Sequence, residues 1–366
     1  MHLTRLQIKR FRTIHEVVLE PAPRFNFLSG PNGVGKTSIL EAIHCLSTAH
    51  SFRTRDRRTL IERDQDCTEV DGEVQMEAYS ASMHFAFDSS PRFRFNGKVL
   101  SNIITVTRLL PVRAIHPDVD RVISGPPENR RRFLDWGILH THPEFFSWYQ
   151  RYKKILSQRN AHIKASYPGP LNKTPWDNEF LRVGRAIDQS RKESVAQIDN
   201  VFHTLYAQFT TGPRLSLVYR DGFNRKPDES WDMFLKRLSK READYRTTQF
   251  GPHRGDLVVY VDDTWLARDV LSRGQLKIVL LCLYLAQLDR VKQQTGKKPI
   301  LLVDDPAAEF DAPTAHRLFD LLGDLSEELQ VFFTSSHPIA HPLLERSDIQ
   351  RYQLRRDGFE TDLRIC

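Results

Sequence analysis

The stretch Gly30-Pro31-Asn32-Gly33-Val34-Gly35-Lys36-Thr37 constrains this chain more than any other. It fits G-x-x-x-x-G-K-[ST], and its flanks are those the loop requires. "RFNFLSG" reads as a strand running into the glycines. "KTSILEAIHCLS", Lys36 to Ser47, reads as a helix with Ile39, Leu40, Ile43 and Leu46 on one face. In such a unit the glycines let backbone N–H groups wrap a phosphate. Lys36 reaches the β- and γ-phosphates, the Thr37 hydroxyl binds Mg²⁺, and Ser38 follows in the same turn. The loop implies an α/β fold and a nucleotide, and is silent about how the nucleotide is used.

A second half-site lies far downstream. "PILLVDD" reads as a buried strand that delivers Asp304 at its C-terminal edge, where Mg²⁺ coordination needs a carboxylate. Asp305 follows, placed to orient or deprotonate an attacking water. Two acids after a strand are common by themselves; paired with the Gly-rich loop they gain meaning.

A third feature is "LSRGQLKIVLLCLYLAQ", Leu271 to Gln287, in which a polar turn opens an apolar helix. Ser272 suits an N-cap. Gly274 also lets a ligand approach the backbone, and helix N-termini favour anions. Gln275 completes the turn. Ser272 precedes Asp304 by 32 residues, room for one long helix and a return loop.

Between these motifs the pattern is interrupted. "LTRLQIKRF" and "EVVLE" are strands, Cys67 to Val99 alternates as short strands with a hairpin turn at Asn96-Gly97, and "RLLPVRAI" reads as a buried strand. Two apolar stripes follow, Phe145–Trp148–Tyr149–Tyr152–Ile155–Leu156 and Phe180–Ile187–Val195–Ile198–Phe202–Leu205, around the breaker "SYPGPLNKTP". They predict an antiparallel helical hairpin. Strand text resumes at "RLSLVYRDG" and "GDLVVYVDD"; a helix near Ala315 to Leu322 and a strand "QVFFTSS" close the pattern. The expected organisation is one α/β core built from residues 1–120 and 247–366, with a mainly helical lobe, 121–246, inserted.

The longest apolar run, Ile278 to Ala286, is far short of the roughly 20 residues of a membrane span. "MHLTRLQIKRFRTI" lacks the apolar core of a signal peptide. Cys45, Cys67, Cys282 and Cys366 form no CxxC pair, which predicts reduced thiols, a cytoplasmic protein and no structural zinc.

The net charge of +7 is uneven: Arg121 to Ala165 holds nine basic residues against three acids. Arg130, Arg131 and Arg132 are consecutive there, and "SFRTRDRR" adds Arg53, Arg55, Arg57 and Arg58. Such clusters attract phosphate backbones. They also suit a solvated surface balanced by acids elsewhere in the fold.

The order Gly-rich loop, LSRGQ turn, helix, strand with paired acids, then Glu309-Phe310-Asp311 resembles ABC-type ATPases, especially SMC-like heads. The chain as a whole resembles the RecF family of bacterial recombination and gap-repair mediators. The residues that carry this are "IKRFRT", "GPNGVGKTSILEAI", "SFRT", "GPPENRRRFLD", "YKKILSQRNA", "FGPHRGDL", "LSRGQLK" and "PILLVDDPAAEFD".

The resemblance implies an ABC-type P-loop ATPase head, a mixed sheet plus an antiparallel β subdomain, with the helical lobe inserted. It implies a homodimer assembled on ATP and Mg²⁺, in which Ser272 and Gly274 of one copy close over nucleotide held by the other. It further implies binding to gapped or single-strand/double-strand junction DNA, and work with RecR and RecO to help load RecA. ATP hydrolysis, weak and DNA-stimulated, reopens the dimer, with Asp305 as candidate base.

Some positions depart from the family pattern. Ser38 stands where Asn is usual, and Ala308 replaces the Ser of the loop after the paired acids. Asp305, an Asp that RecF proteins commonly share, is one methylene shorter than the Glu of most ABC ATPases, which predicts slow turnover. His337, Ser335 or Ser336 occupies the switch position, and His116 or Asp118 the Q-loop. Other readings are an ATPase subunit of another machine, such as a transporter, and a nucleotide-binding DNA scaffold that does not hydrolyse.

Overall fold

The computed structural model describes residues 1–100, 102–116, 121–166, 174–306, 310–337, 339, 341–357 and 360–365. Asp118, Ala308, Glu309 and Cys366, singled out above, lie outside them. The chain forms two compact units, Met1–Val119 with Val291–Cys366, and Asp120–Arg290.

The first unit opens with β1 (His2–Phe11), β2 (Ile14–Leu19), β3 (Phe25–Ser29) and α1 (Lys36–Thr48). Strands β4 (Thr68–Gln75), β5 (Ser80–Phe87), β6 (Pro91–Phe95) and β7 (Lys98–Val99) follow, then α2 (Ile103–Leu109) and β8 (Val112–Ile115). The reading of "RLLPVRAI" as one strand is corrected: its first residues close α2, capped by the Asn102 side chain, and the strand starts after Pro111.

The second unit contains α3 (Arg121–Ser124), α4 (Pro127–Thr141), α5 (Phe145–Ala165), α6 (Asp177–Phe209), β9 (Leu215–Arg220), α7 (Trp231–Tyr245), β10 (Asp256–Val261), β11 (Trp265–Leu266) and α8 (Ala267–Val270). It also holds most of α9 (Arg273–Thr295). The first unit is completed by β12 (Ile300–Val303), α10 (Ala312–Leu325), β13 (Gln330–Ser335), β14 (Ile349–Asp357) and β15 (Glu360–Ile365).

Two six-stranded sheets build the first unit. One is antiparallel, in the order β2-β1-β4-β5-β6-β7. The other runs β15-β14-β3-β13-β12-β8, parallel from β14 to β8, with β15 antiparallel at the edge. Helix α1 packs against strands of both sheets. Its Ile39, Leu40, Ile43 and Leu46 are fully buried, and so are Glu41, Cys45 and Ser47 on other faces. A helix buried on nearly all sides has little polar face left, which fits its position between layers. Each large apolar side chain so buried stabilises the unit by about 1.5–3 kcal/mol.

In the second unit β9 and β10 pair in antiparallel register, Asp256 opposite Arg220, and β11 extends the sheet. Residues 247–290, placed with the head in the sequence reading, pack here with the lobe because β10 finds its partner in β9 and packs against α4. Helices α5 and α6 pack as the expected hairpin, Tyr152 against Phe180. Arg159 on α5 is fully buried and ties three helices together. Its Nε donates to Asp177 Oδ1 at 2.9 Å, and its two terminal nitrogens donate to Glu242 at 2.7 and 2.8 Å. Among the described residues no helix is long and apolar enough to cross a membrane.

Candidate nucleotide-binding site

Strand β3 ends at Ser29 and α1 starts at Lys36, so the loop between them spans one strand end and one helix start. Gly30 has φ 151°, and a Cβ there would lie 2.5 Å from the Leu354 carbonyl oxygen on β14, which excludes any other residue. Gly35 caps α1 at φ 113° with no side-chain cap bond. The first-turn N–H groups are thus left for an external anion. Pro31, Asn32 and Gly33 are exposed at the lip, while Val34 and Ser38 are buried beneath it. Lys36 Nζ donates to Gly30 O at 2.7 Å and Pro31 O at 2.9 Å, which holds the ammonium at the loop. Burial moves this lysine below its ordinary range, opposed by the carboxylates of Asp305 and Asp304.

Thr37 Oγ1 donates to both Asp304 oxygens, at 2.9 and 3.1 Å. Thr334 on β13 donates to Asp304 Oδ1 at 2.9 Å and accepts the Asp305 N–H at 2.9 Å. Burial raises Asp304 above the usual carboxylate range, with the Thr334 and Thr37 hydroxyls opposing the rise. A hydroxyl and a buried carboxylate side by side are the hard oxygen donors a Mg²⁺ ion takes, so Thr37 and Asp304 fit that ion. Among the described residues no group of three or more His, Cys, Asp or Glu side chains forms a metal site.

Asp305 adopts φ 42°, a left-handed conformation unusual for a residue with a side chain. Ser336 Oγ donates to Asp305 Oδ2 at 2.6 Å. The hydroxyl has one proton, so the 3.0 Å contact with His337 Nδ1 is a bond that Ser336 accepts. His337 thus reaches Asp305 through Ser336, and Ser335 turns away to donate to His337 O at 2.8 Å. Asp305 Oδ1 is buried without a partner among the described residues. The sequence reading missed Thr334, because a threonine inside an apolar strand signals only β propensity.

In the second unit Ser272 and Gln275 form a reciprocal capping box at the start of α9. Gln275 N donates to Ser272 Oγ at 3.3 Å, and Ser272 N donates to Gln275 Oε1 at 2.9 Å. Ser272, Arg273 and Gly274 are exposed. A Cβ added at Gly274 would meet nothing closer than Ser272 Oγ at 4.0 Å, so the turn presents open backbone.

The expected DNA-contacting arginines divide sharply. Arg130 is 4% exposed; its Nε and a terminal nitrogen donate to Asp256 at 2.7 and 3.0 Å, and the other donates to Ile123 O and Gly125 O. It is corrected from a surface contact to a buried anchor between α4 and β10. Arg131 is half-buried and donates to Gly255 O at 3.0 Å; Arg132 is exposed and pairs with Glu128. Arg55 and Arg58 are exposed, and Arg58 pairs with Asp56. Arg57 donates to Ala49 O at 2.9 Å. Arg53 lies 3.9 Å from Glu41, a fully buried carboxylate that also accepts from Nε and one terminal nitrogen of Arg12 and from the Ser51 hydroxyl. The motifs "IKRFRT" and "SFRT" are therefore joined through α1. His116 stacks on Phe52 with ring centroids 5.2 Å apart.

Residues 2–347 match the family model for the RecF/RecN/SMC N-terminal domain. A DNA replication and repair protein RecF of Thioalkalivibrio sulfidiphilus is 36% identical over 347 residues, covering 94% of each chain. The RecF of Pseudomonas putida strain W619 is 34% identical over 369 residues, covering 100% of this chain and 95% of its own. Among solved structures, the recombination mediator protein RecF-ATP in the RecFOR pathway matches with a TM-score of 0.81 at 24% identity, over 100% of this chain and 97% of that one. An Smc head bound to the C-winged helix domain of ScpA matches at 0.61 and 14% identity, over 100% and 98%. The fold is that of these ATPase heads.

Proposed function

The chain belongs to the RecF/RecN/SMC N-terminal domain family, as a RecF-type DNA replication and repair protein, and from that premise we propose that it is an ATP-switched DNA clamp. ATP sits on the Gly30–Thr37 loop, its β- and γ-phosphates on Lys36 and the N–H groups at the start of α1. Thr37 and Asp304 would hold Mg²⁺, which when bound would neutralise phosphate charge. Ser272, Gly274 and Gln275 of a second copy close over the γ-phosphate. Asp305, oriented by Ser336, aligns or deprotonates the attacking water, and hydrolysis reopens the homodimer.

The observation that carries this reading is the meeting of Thr37 and Asp304 at the mouth of the Gly-rich loop. The exposed Ser272–Gly274 turn supports the trans arrangement: a helix start facing solvent suits an anion brought by a partner. Loss of one charge-assisted hydrogen bond costs about 1.5–3 kcal/mol, roughly 10–100-fold in affinity. A contact made twice per symmetric dimer can thus govern assembly.

In this reading the dimer acts in the cytoplasm on gapped or junction DNA. It holds phosphates through the Arg53–Arg58 cluster, with Arg131 and Arg132 of the lobe, and cooperates with RecO and RecR to help load RecA. The test mixes Lys36→Ala and Ser272→Arg proteins, each expected to be inactive in ATP turnover. A mixed dimer has one site with both defects and one with neither, so activity returns on mixing. No recovery, with mixed dimers demonstrated by sedimentation, overturns the trans arrangement.

A further inference from the structure

Three sequence motifs that nucleotide chemistry leaves unused, "GPPENRRRFLD", "YKKILSQRNA" and "FGPHRGDL", converge on one cavity of the second unit, of about 300 Å³. Its walls differ in kind. Part of the lining is apolar: Leu156 from α5, Ile187 from α6, and Pro252. Opposite in character are Arg131 from α4 and Lys153 from α5. Neither cation forms an ion pair among the described residues.

Arg131 gives one terminal nitrogen to Gly255 O and keeps its other donors. Lys153 is exposed, and its ammonium lies 4.8 Å from the centroid of the Tyr149 ring. The other charges lining the cavity are matched internally: Arg132 pairs with Glu128, and Arg191 makes a two-pronged bond to Asp135. His253 is also satisfied. Its Nε2–H donates to Thr248 O, so Nδ1 accepts from Tyr152 OH at 2.6 Å. Burial disfavours the charged form of Arg131, as does its neighbour Arg191, and the carboxylates of Asp256, Asp135 and Glu128 oppose both effects.

We propose that this cavity binds one unstacked nucleotide of a single DNA strand, its phosphate on Arg131 and Lys153 and its base against Tyr149 and the apolar lining. The proposal deepens the reading of the chain as a DNA-binding protein and rests on it. A cavity of this size cannot admit a double helix, whereas a splayed nucleotide brings both chemistries its walls offer. Aromatic stacking beside unpaired cations is the usual physics of single-strand binding and needs no particular base. An acidic peptide uses the cations but leaves the apolar lining without a partner.

The experiment measures fluorescence anisotropy of labelled oligothymidylate and of a blunt duplex with the full chain at fixed salt. Tyr149→Ala and Lys153→Glu are each expected to weaken strand binding roughly tenfold, while Tyr149→Phe stays within about twofold of wild type. Duplex affinity and the thermal stabilisation given by ATP with Mg²⁺ remain as in wild type, which shows that the variants fold. Strand affinity unchanged in both variants, with wild type binding both DNAs, overturns the pocket alone. Wild type binding neither DNA overturns the DNA reading itself. Displacement of the strand by polyglutamate as efficiently as by unlabelled strand assigns the cavity to an acidic protein segment and also overturns the proposal.

Discussion

Thr37 and Asp304, 267 residues apart in the chain, share one hydrogen: Thr37 Oγ1 lies 2.9 Å from one carboxylate oxygen and 3.1 Å from the other. The contact joins the first turn of α1 to the end of β12, and Thr334 buttresses the same carboxylate from β13. The geometry makes the candidate nucleotide site a property of the parallel sheet, whose neighbouring strands β3, β13 and β12 each bring one part of it.

Asp304→Asn is expected to separate stability from ligand binding. Burial raises this carboxyl, so its charged form costs stability as the pH climbs through the raised pKa. Without nucleotide at pH 7.5, the variant should melt at or above the wild-type temperature. ATP and Mg²⁺ at about 100 times Kd should stabilise wild type by about 2.7 kcal/mol and leave the variant unmoved. Thermal melts with and without ligand decide it; equal ligand stabilisation in both proteins refutes the role.

Ser336→Ala removes the hydroxyl that orients Asp305. The expected result is a fall in ATP turnover of about tenfold, the lower end of the range for one hydrogen bond to a carboxylate, with KM for ATP little changed. Ser336→Thr should restore most of it. Steady-state kinetics will show the split, and a change confined to KM argues that Ser336 serves nucleotide binding instead.

Arg130 and Arg58 should behave oppositely despite similar sequence surroundings. Arg130→Ala leaves Asp256 without its buried partner and should destabilise the protein by about 3 kcal/mol. Arg58→Ala should leave stability intact and flatten the log–log salt dependence of DNA binding by about 0.9, one phosphate contact. Urea denaturation and salt titrations of both variants supply the comparison; an unchanged slope for Arg58→Ala removes it from the proposed DNA surface.

Asp188 on α6 gives the lobe a pH dependence. Burial raises its carboxyl to about 6, with the Tyr219 hydroxyl and the Gly222 N–H bonded to it opposing the rise. A raised acid adds stability at low pH that is lost as the pH rises through about 6. Between pH 5 and 7.5 the wild type should lose more stability than Asp188→Asn. Parallel pH profiles for the two proteins contradict this.

The site was legible in the sequence wherever chemistry follows local order. Gly30 to Thr37 declares its loop because the strand before it and the helix after it are adjacent in the chain, and Asp304 follows an apolar strand. The capping pair Ser272 and Gln275 is likewise local. Thr334 and Ser336 were harder to read. Thr334 carries no mark in sequence that it faces Asp304, and Ser336 was one of three neighbouring candidates that only geometry separates. The basic lobe misled for a related reason. A count of charges treats Arg130 and Arg132 alike, yet one is buried against Asp256, 126 residues away, and the other is exposed beside Glu128.

The sequence by itself determined the Gly-rich loop between strand and helix, the strand that delivers the carboxylate, and the capped turn at Ser272, since each rests on neighbours in the chain and on backbone geometry. Tertiary structure alone decided which sheet each strand joined: β1 and β2 entered the antiparallel sheet, while β3, just after them, entered the parallel one. It also decided which arginines meet solvent and which hydroxyls hold Asp304 and Asp305. Those outcomes depend on burial and on partners distant in the chain, and neither alternation nor charge counting carries that information.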